Sequence, residues 1–83
     1  MSEHAVMEQA VADILRKTLS IEVPSPDTDL FEEGLMDSLA LVQLLFALDQ
    51  EMGIAPDLEN LEVDHFRTIA KIADFALARA KAV

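Results

Sequence analysis

The segment from Asp37 to Gly53 limits the folds open to this chain more than any other. It opens on Asp37-Ser38, two good helix-start residues, and closes on Gly53, a residue suited to the position just past a helix. The spacing between them predicts a helix over 38–52, the most apolar in the sequence. Leu41, Leu44, Leu45, Leu48 and Met52 form the stripe expected to face a core, while Leu39, Val42 and Phe46 recur at steps of three and four on another face. Such a helix needs other helices to cover it. One reading buries both stripes in a wide core contact. The preferred reading leaves the second one partly exposed, because so small a domain cannot wrap a helix completely. An exposed apolar face beside Ser38, with Met36 on the approach to it, would be a docking surface.

The flanking segments supply the cover. Val6, Met7, Ala10, Val11, Ile14 and Leu15 recur at helical spacing, so a helix is expected from Ser2 to about Thr18. Ser2 is its expected N-cap, with Glu3 in the first turn and Arg16 and Lys17 in the last, where the helix dipole favours those charges. Thr68 is the expected N-cap of a final helix ending near Lys81, with Ile69, Ile72, Ala73, Ala76 and Leu77 inward. Leu58, Leu61, Val63 and Phe66 are expected to anchor a short helical turn after the turn Ile54-Ala55-Pro56-Asp57. No β-type alternation, internal repeat or low-complexity segment interrupts the pattern. The expected fold is all-α: one domain over residues 1–83, a small antiparallel bundle of three long helices plus one short.

A long loop, Leu19 to Leu35, remains. Pro24 and Pro26 keep it out of helix, and Leu30, Phe31 and Leu35 are greasy for a surface loop, so it is expected to be ordered with those three turned inward. Gly34 offers a backbone position able to take positive φ before the next helix. Asp27-Thr28-Asp29 opens like a calcium loop, but Glu32 stands where an EF-hand needs glycine. Those acids are read as a solvated loop.

Read through, Leu30-Phe31-Glu32-Glu33-Gly34-Leu35-Met36-Asp37-Ser38-Leu39 resembles the prosthetic-group attachment motif of the carrier protein family, the acyl, peptidyl and D-alanyl carriers. The spacing from Phe31 to Ser38, and Asp64-His65-Phe66-Arg67-Thr68 followed by Ile69 and Ile72, are most like the D-alanyl type. The resemblance implies 4′-phosphopantetheine on Ser38, with Asp37 recognised by the phosphopantetheinyl transferase that delivers the arm from coenzyme A with magnesium. It also implies a thioester-bound acyl or aminoacyl cargo, an adenylate-forming ligase that loads it and an acceptor enzyme that unloads it. The chain itself would catalyse nothing. Fatty-acid carriers commonly place acids early in the helix after the serine, whereas Ala40 and Gln43 stand here. That absence of charge favours a partner gripping the helix through apolar contacts. An acyl carrier of a fatty-acid, polyketide or other lipid pathway is the alternative in kind. An unmodified acidic helical adaptor, with Asp37-Ser38 only a cap, is the alternative of another class.

Elementary chemistry narrows the field independently. Serine needs a neighbouring base to act as a nucleophile, and the chain has only two histidines, His4 and His65, and no Gly-x-Ser-x-Gly elbow. Both histidines are read as solvated or cap-adjacent. With no cysteine there is no thiolate and no cysteine-based metal site. The start of the chain and the absence of a long apolar run are those of a cytoplasmic protein, expected to be freestanding and monomeric.

The formal charge is −10, and no Lys or Arg lies between Lys17 and Arg67, an interval holding most of the 16 acids. Nucleic-acid binding needs a basic face and is excluded. The acids serve either steering toward basic partners or solubility alone. In both cases a base-free interval this long repels itself. Raising ionic strength from very low to physiological, or adding modest magnesium, should therefore raise the melting temperature; a melting temperature indifferent to salt would contradict this.

Overall fold

The computed structural model describes residues 2–54 and 62–81, apart from the side chains of Ala80 and Lys81. It contains helix α1 at Glu3–Leu19, α2 at Ser38–Met52, a 3-10 turn at Val63–Phe66 and α3 at Ile69–Lys81. No strand occurs among the described residues. Each helix begins where its cap dictates. Ser2 accepts from Ala5 N–H at 3.1 Å to open α1, and Thr68 Oγ1 accepts from Lys71 N–H at 3.0 Å to open α3.

Helix ends are set by left-handed residues. Gly53 has φ 68° and its N–H returns to the Asp49 and Leu48 carbonyls, closing α2 at Met52. Helix α1 runs through Leu19, one residue past the expected end, because Ser20 takes the left-handed conformation at φ 56°. Serine is a poor residue for that role, since its Cβ crowds the backbone there. The reach of the helix was accordingly not readable from composition.

Helix α1 packs against both α2 and α3, and the 3-10 turn packs against α3. The core is built from Val11, Ile14 and Leu15 of α1, Leu41, Leu44, Leu45, Ala47 and Leu48 of α2, and Ile69, Ile72 and Ala76 of α3. Among the described residues, Leu30, Met36, Ile54 and Phe66 join it from outside the three α-helices. Leu30 and Phe66 are both fully buried, and the Phe66 ring meets Phe75 of α3 at 4.9 Å between centroids. Tilted ring pairs at that distance are favourable beyond simple area burial.

Not every residue expected to face inward joins the core: Ala10 and Leu77 are half-buried at its edge, and two valines are exposed. Val6 is 54 % exposed, because it sits on the outer flank of α1's apolar stripe, and Val63 is 44 % exposed at the start of the 3-10 turn. Among the described residues Phe66 anchors the turn; Leu58, Leu61 and the turn residues Ala55-Pro56-Asp57 lie outside the described residues. A cross-link in polar terms joins α1 to α3. His4 Nε2 lies 2.8 Å from Asp74 Oδ1 and 3.2 Å from the Ala70 carbonyl, and its Nδ1 lies 3.3 Å from Glu8 Oε2. His4 is thus a structural bridge.

The two apolar stripes of α2 fare differently. Leu45 is 4 % exposed and Phe46 is 66 % exposed, although they are neighbours in sequence. Leu45→Ala should therefore cost about 2–5 kcal/mol, a core truncation that leaves a cavity, whereas Phe46→Ala should cost under about 1 kcal/mol. Chemical denaturation of the two variants checks this, and equal losses would place Phe46 in the core.

Candidate functional site at the start of α2

At the mouth of α2 the two adjacent polar residues divide their work. Asp37 is the N-cap: its backbone is extended and its Oδ1 accepts from Ala40 N–H at 2.8 Å. Its carbonyl accepts the first helical bond, from Leu41 N–H at 2.9 Å. Ser38 is the first helical residue. It is exposed, and no hydrogen bond engages its hydroxyl among the described residues. A serine that caps a helix has its oxygen committed to the backbone. Here Asp37 does the capping, so the serine oxygen is left for other chemistry.

The surroundings suit a phosphodiester on that oxygen. The first N–H groups of an α-helix have no partners within it, and the dipole places partial positive charge there. The Asp37 carboxylate opposes an anion, yet one of its oxygens is tied to Ala40 N–H. No histidine hydrogen-bonds Ser38: His4 is held by Glu8, Ala70 and Asp74, and His65 Nε2 pairs with Glu62 at 3.3 Å. Ser38 has no base of its own for self-activation. Nor do any described His, Cys, Asp or Glu residues form a group able to hold a metal ion.

The loop that delivers Asp37 and Ser38 is ordered around Leu30. The Leu30 carbonyl accepts from both Leu35 N–H at 2.9 Å and Met36 N–H at 3.0 Å. Leu30 N–H donates to the Arg67 carbonyl at 2.6 Å, and Pro26 carbonyl accepts from Ala70 N–H at 3.1 Å. Gly34 takes φ 71° at the apex, with its N–H on the Phe31 carbonyl at 3.1 Å. Positive φ is the requirement that glycine meets there without strain. Phe31 and Leu35 are half-buried against the core, so all three apolar loop residues turn inward as expected.

Asp29, read from the sequence as part of a solvated loop, organises this turn. Its Oδ1 accepts from Phe31 and Glu32 N–H, each at 3.0 Å, and its Oδ2 pairs with Arg67 Nη1 at 3.4 Å. Arg67 Nε donates to Asp64 Oδ1 at 2.6 Å, and its guanidinium carbon stands 5.8 Å from the Phe31 ring centroid. The Glu32 N–H above all, then Phe31 N–H and Arg67, hold the Asp29 carboxyl below its ordinary range. The Arg67 hydrogen bond does the same for Asp64. Sequence reasoning missed this cluster. The preference of Asp for bonding backbone two or three residues on was a usable signal for the turn, but nothing local pairs position 29 with position 67.

The exposed face next to Ser38 comprises Leu39 at 68 %, Val42 at 60 % and Phe46 at 66 % exposure. Met36, grouped with it from the sequence, does not belong there. It is 4 % exposed and part of the core, because its N–H, with that of Leu35, is drawn back to the Leu30 carbonyl and the chain turns inward there. Gln43, also exposed, leaves this side of α2 without charge until Asp49.

Residues 9–76 match a protein family described as "Phosphopantetheine attachment site". The chain is also similar to curated proteins named D-alanyl carrier protein. It is 33 % identical to that of Bacillus velezensis over 63 residues, covering 74 % of this chain and 81 % of the relative. It is 34 % identical to that of Enterococcus faecalis over 68 residues, covering 80 % and 87 %. A third relative, D-alanyl carrier protein 2 of Lactiplantibacillus plantarum, is 41 % identical over 46 residues, covering 55 % and 58 %.

The lowered Asp29 carboxyl makes the turn pH-dependent in a defined direction. A carboxyl more acidic in the folded state stabilises it above the ordinary carboxylate value, about 3.9, and the contribution is lost as pH falls through the lowered value. The amide shifts of Phe31 and Glu32 should therefore titrate with a midpoint below that of Asp29 in a free peptide of residues 26–36. A midpoint equal to the peptide's would remove Asp29 from the turn.

Proposed function

Because this chain belongs to the phosphopantetheine-attachment carrier family and is similar to D-alanyl carrier proteins, we propose that Ser38 is the attachment residue and that the cargo is an aminoacyl group of the D-alanyl kind. The observation that carries this reading is an exposed, unpartnered serine at the first position of α2, inside the matched segment. When attached, 4′-phosphopantetheine supplies a terminal thiol on which an acyl group is held as a thioester. The protein's own residues do the rest. Ser38 Oγ presents the oxygen to be esterified, and the base that takes its proton comes from the transferase, since no described side chain here hydrogen-bonds it. Asp37 holds the first turn of α2 closed, keeping the helix N-terminus in place beneath the phosphodiester.

Fold and surface follow the same reading. The helical segments form one antiparallel carrier bundle of three long helices and one short, a monomer that catalyses nothing itself. Leu39, Val42 and Phe46 dock in turn with an adenylate-forming ligase and with the enzyme that accepts the cargo. Their 60–68 % exposure on an uncharged helix face supports an apolar grip. No helix of the described residues is long and apolar enough to cross a membrane, consistent with a cytoplasmic carrier.

Incubation with coenzyme A, magnesium and a broad-specificity phosphopantetheinyl transferase should add one pantetheinyl group to the chain. Ser38→Ala should abolish the mass gain and leave the helical circular dichroism nearly intact, because the cap is Asp37. No gain in the wild-type chain, with the transferase active on a control carrier, would favour the unmodified adaptor. Phe46→Ala should slow aminoacyl loading by an adenylating ligase by about tenfold or more, as expected of an exposed aromatic anchor. Unchanged loading would move the docking face elsewhere.

A further inference from the structure

The attachment loop is tied to the rest of the molecule at a point distant in sequence and adjacent in space. Arg67, just before α3, reaches residues 29–31 three times. Its carbonyl accepts from Leu30 N–H at 2.6 Å, its Nη1 pairs with Asp29 Oδ2 at 3.4 Å, and its guanidinium faces the Phe31 ring at 5.8 Å. The same Asp29 carboxylate holds Phe31 and Glu32 N–H through its other oxygen. Leu30 in turn fixes Leu35 and Met36 through its carbonyl, and Met36 leads directly into the Asp37 cap and Ser38. A continuous chain of contacts therefore runs from the Arg67 guanidinium to the serine.

From this geometry we infer that Arg67 is a positioning residue for arm attachment, holding loop 29–36 in the form a phosphopantetheinyl transferase binds. The inference rests on Ser38 being the attachment residue. Arg67 makes no hydrogen bond or ion pair with Ser38 and acts through Asp29. Its two carboxylate partners are unequal in this respect. Asp64 lies three residues before Arg67, and their 2.6 Å contact is a local pair with an exposed acid, of the kind that contributes little. Asp29 is the less exposed partner and lies 38 residues away, so of the two ion pairs it is the one that joins the loop to the start of α3, beside the backbone bonds there.

The kinetic consequence follows from populations. If losing the guanidinium lets the loop sample other shapes, only a fraction of molecules is competent to bind the transferase. The apparent affinity falls by that fraction, while a molecule once bound in the right shape reacts at its usual rate. The signature is a raised KM with kcat retained.

The test uses the full chain without the arm, as wild type, Arg67→Gln, Asp29→Asn, Asp64→Asn and the Arg67→Gln/Asp29→Asn pair. Asn at position 29 can still accept from Phe31 and Glu32 N–H, so it removes the ion pair while keeping the turn. Arg67→Gln keeps the backbone bond to Leu30. Steady-state attachment from coenzyme A is measured beside amide hydrogen exchange of residues 30–36. The expected result is a KM raised about three- to tenfold for Arg67→Gln and for Asp29→Asn, with kcat within about twofold. The double variant should be no worse than either single one, Asp64→Asn should stay near wild type, and loop amides should exchange faster wherever KM rises. A lowered melting temperature with KM unchanged would overturn the inference and leave Arg67 structural. A raised KM with loop exchange unchanged would also overturn it, since Arg67 would then contact the transferase directly. A mass gain that survives Ser38→Ala would instead overturn the attachment reading, and is read from that variant alone.

Discussion

The burial of Leu30 is the contact on which the rest of the site depends. A loop between two helices ordinarily stays on the surface, where water satisfies its backbone. Here a fully buried leucine draws the chain into the core between Pro26 and Asp37, and the backbone groups carried in with it need partners. Leu30 N–H finds the Arg67 carbonyl, and its own carbonyl serves both Leu35 and Met36. That double use reverses the chain within six residues, buries Met36 and aims the next two residues at solvent. The exposed position of Ser38 is thus a by-product of packing one leucine well.

Helix α2 illustrates how one short element can serve both core and surface. Leu41, Leu44, Leu45 and Leu48 face α1 and the loop, and their burial accounts for the helix being where it is. Leu39, Val42 and Phe46 contribute little to that burial, and leaving them in water is unfavourable. A fold under pressure for stability alone would place polar residues there. Retaining three large apolar side chains beside an exposed serine is the pattern expected when a partner covers them for part of the time. The charge distribution agrees with this division. Acids crowd the interval around the site, and Arg67, which reaches into it, is committed to Asp29 and Asp64.

Local signals carried much of the architecture. Ser2 and Thr68 cap helices where Ser and Thr before an apolar run should, and Gly53 ends α2 through its left-handed conformation. The same local logic failed where the deciding force was not local. Met36 looked like a surface neighbour of Ser38, but hydrogen bonding to Leu30 turned it into the core. Val63 looked like an anchor of the 3-10 turn, yet it is exposed and the fully buried Phe66 is the side chain the turn delivers to the core.

By itself the sequence determined the helical class, the boundaries of α2, the inward turn of Leu30, Phe31 and Leu35 and the choice of Ser38 as the residue to examine. The first three rest on periodicity, capping or composition, properties encoded within a few residues of where they act, whereas the choice of Ser38 rests on the resemblance of residues 30–39 to an attachment motif. The tertiary structure alone decided which of Asp37 and Ser38 would cap the helix, that Met36 would be buried, and that Asp29 would meet Arg67. Those outcomes depend on residues far apart in the chain arriving at the same place. A carboxylate at position 29 has no local reason to select a guanidinium at position 67 until Leu30 and Phe66, both buried in one core, have brought their neighbours together.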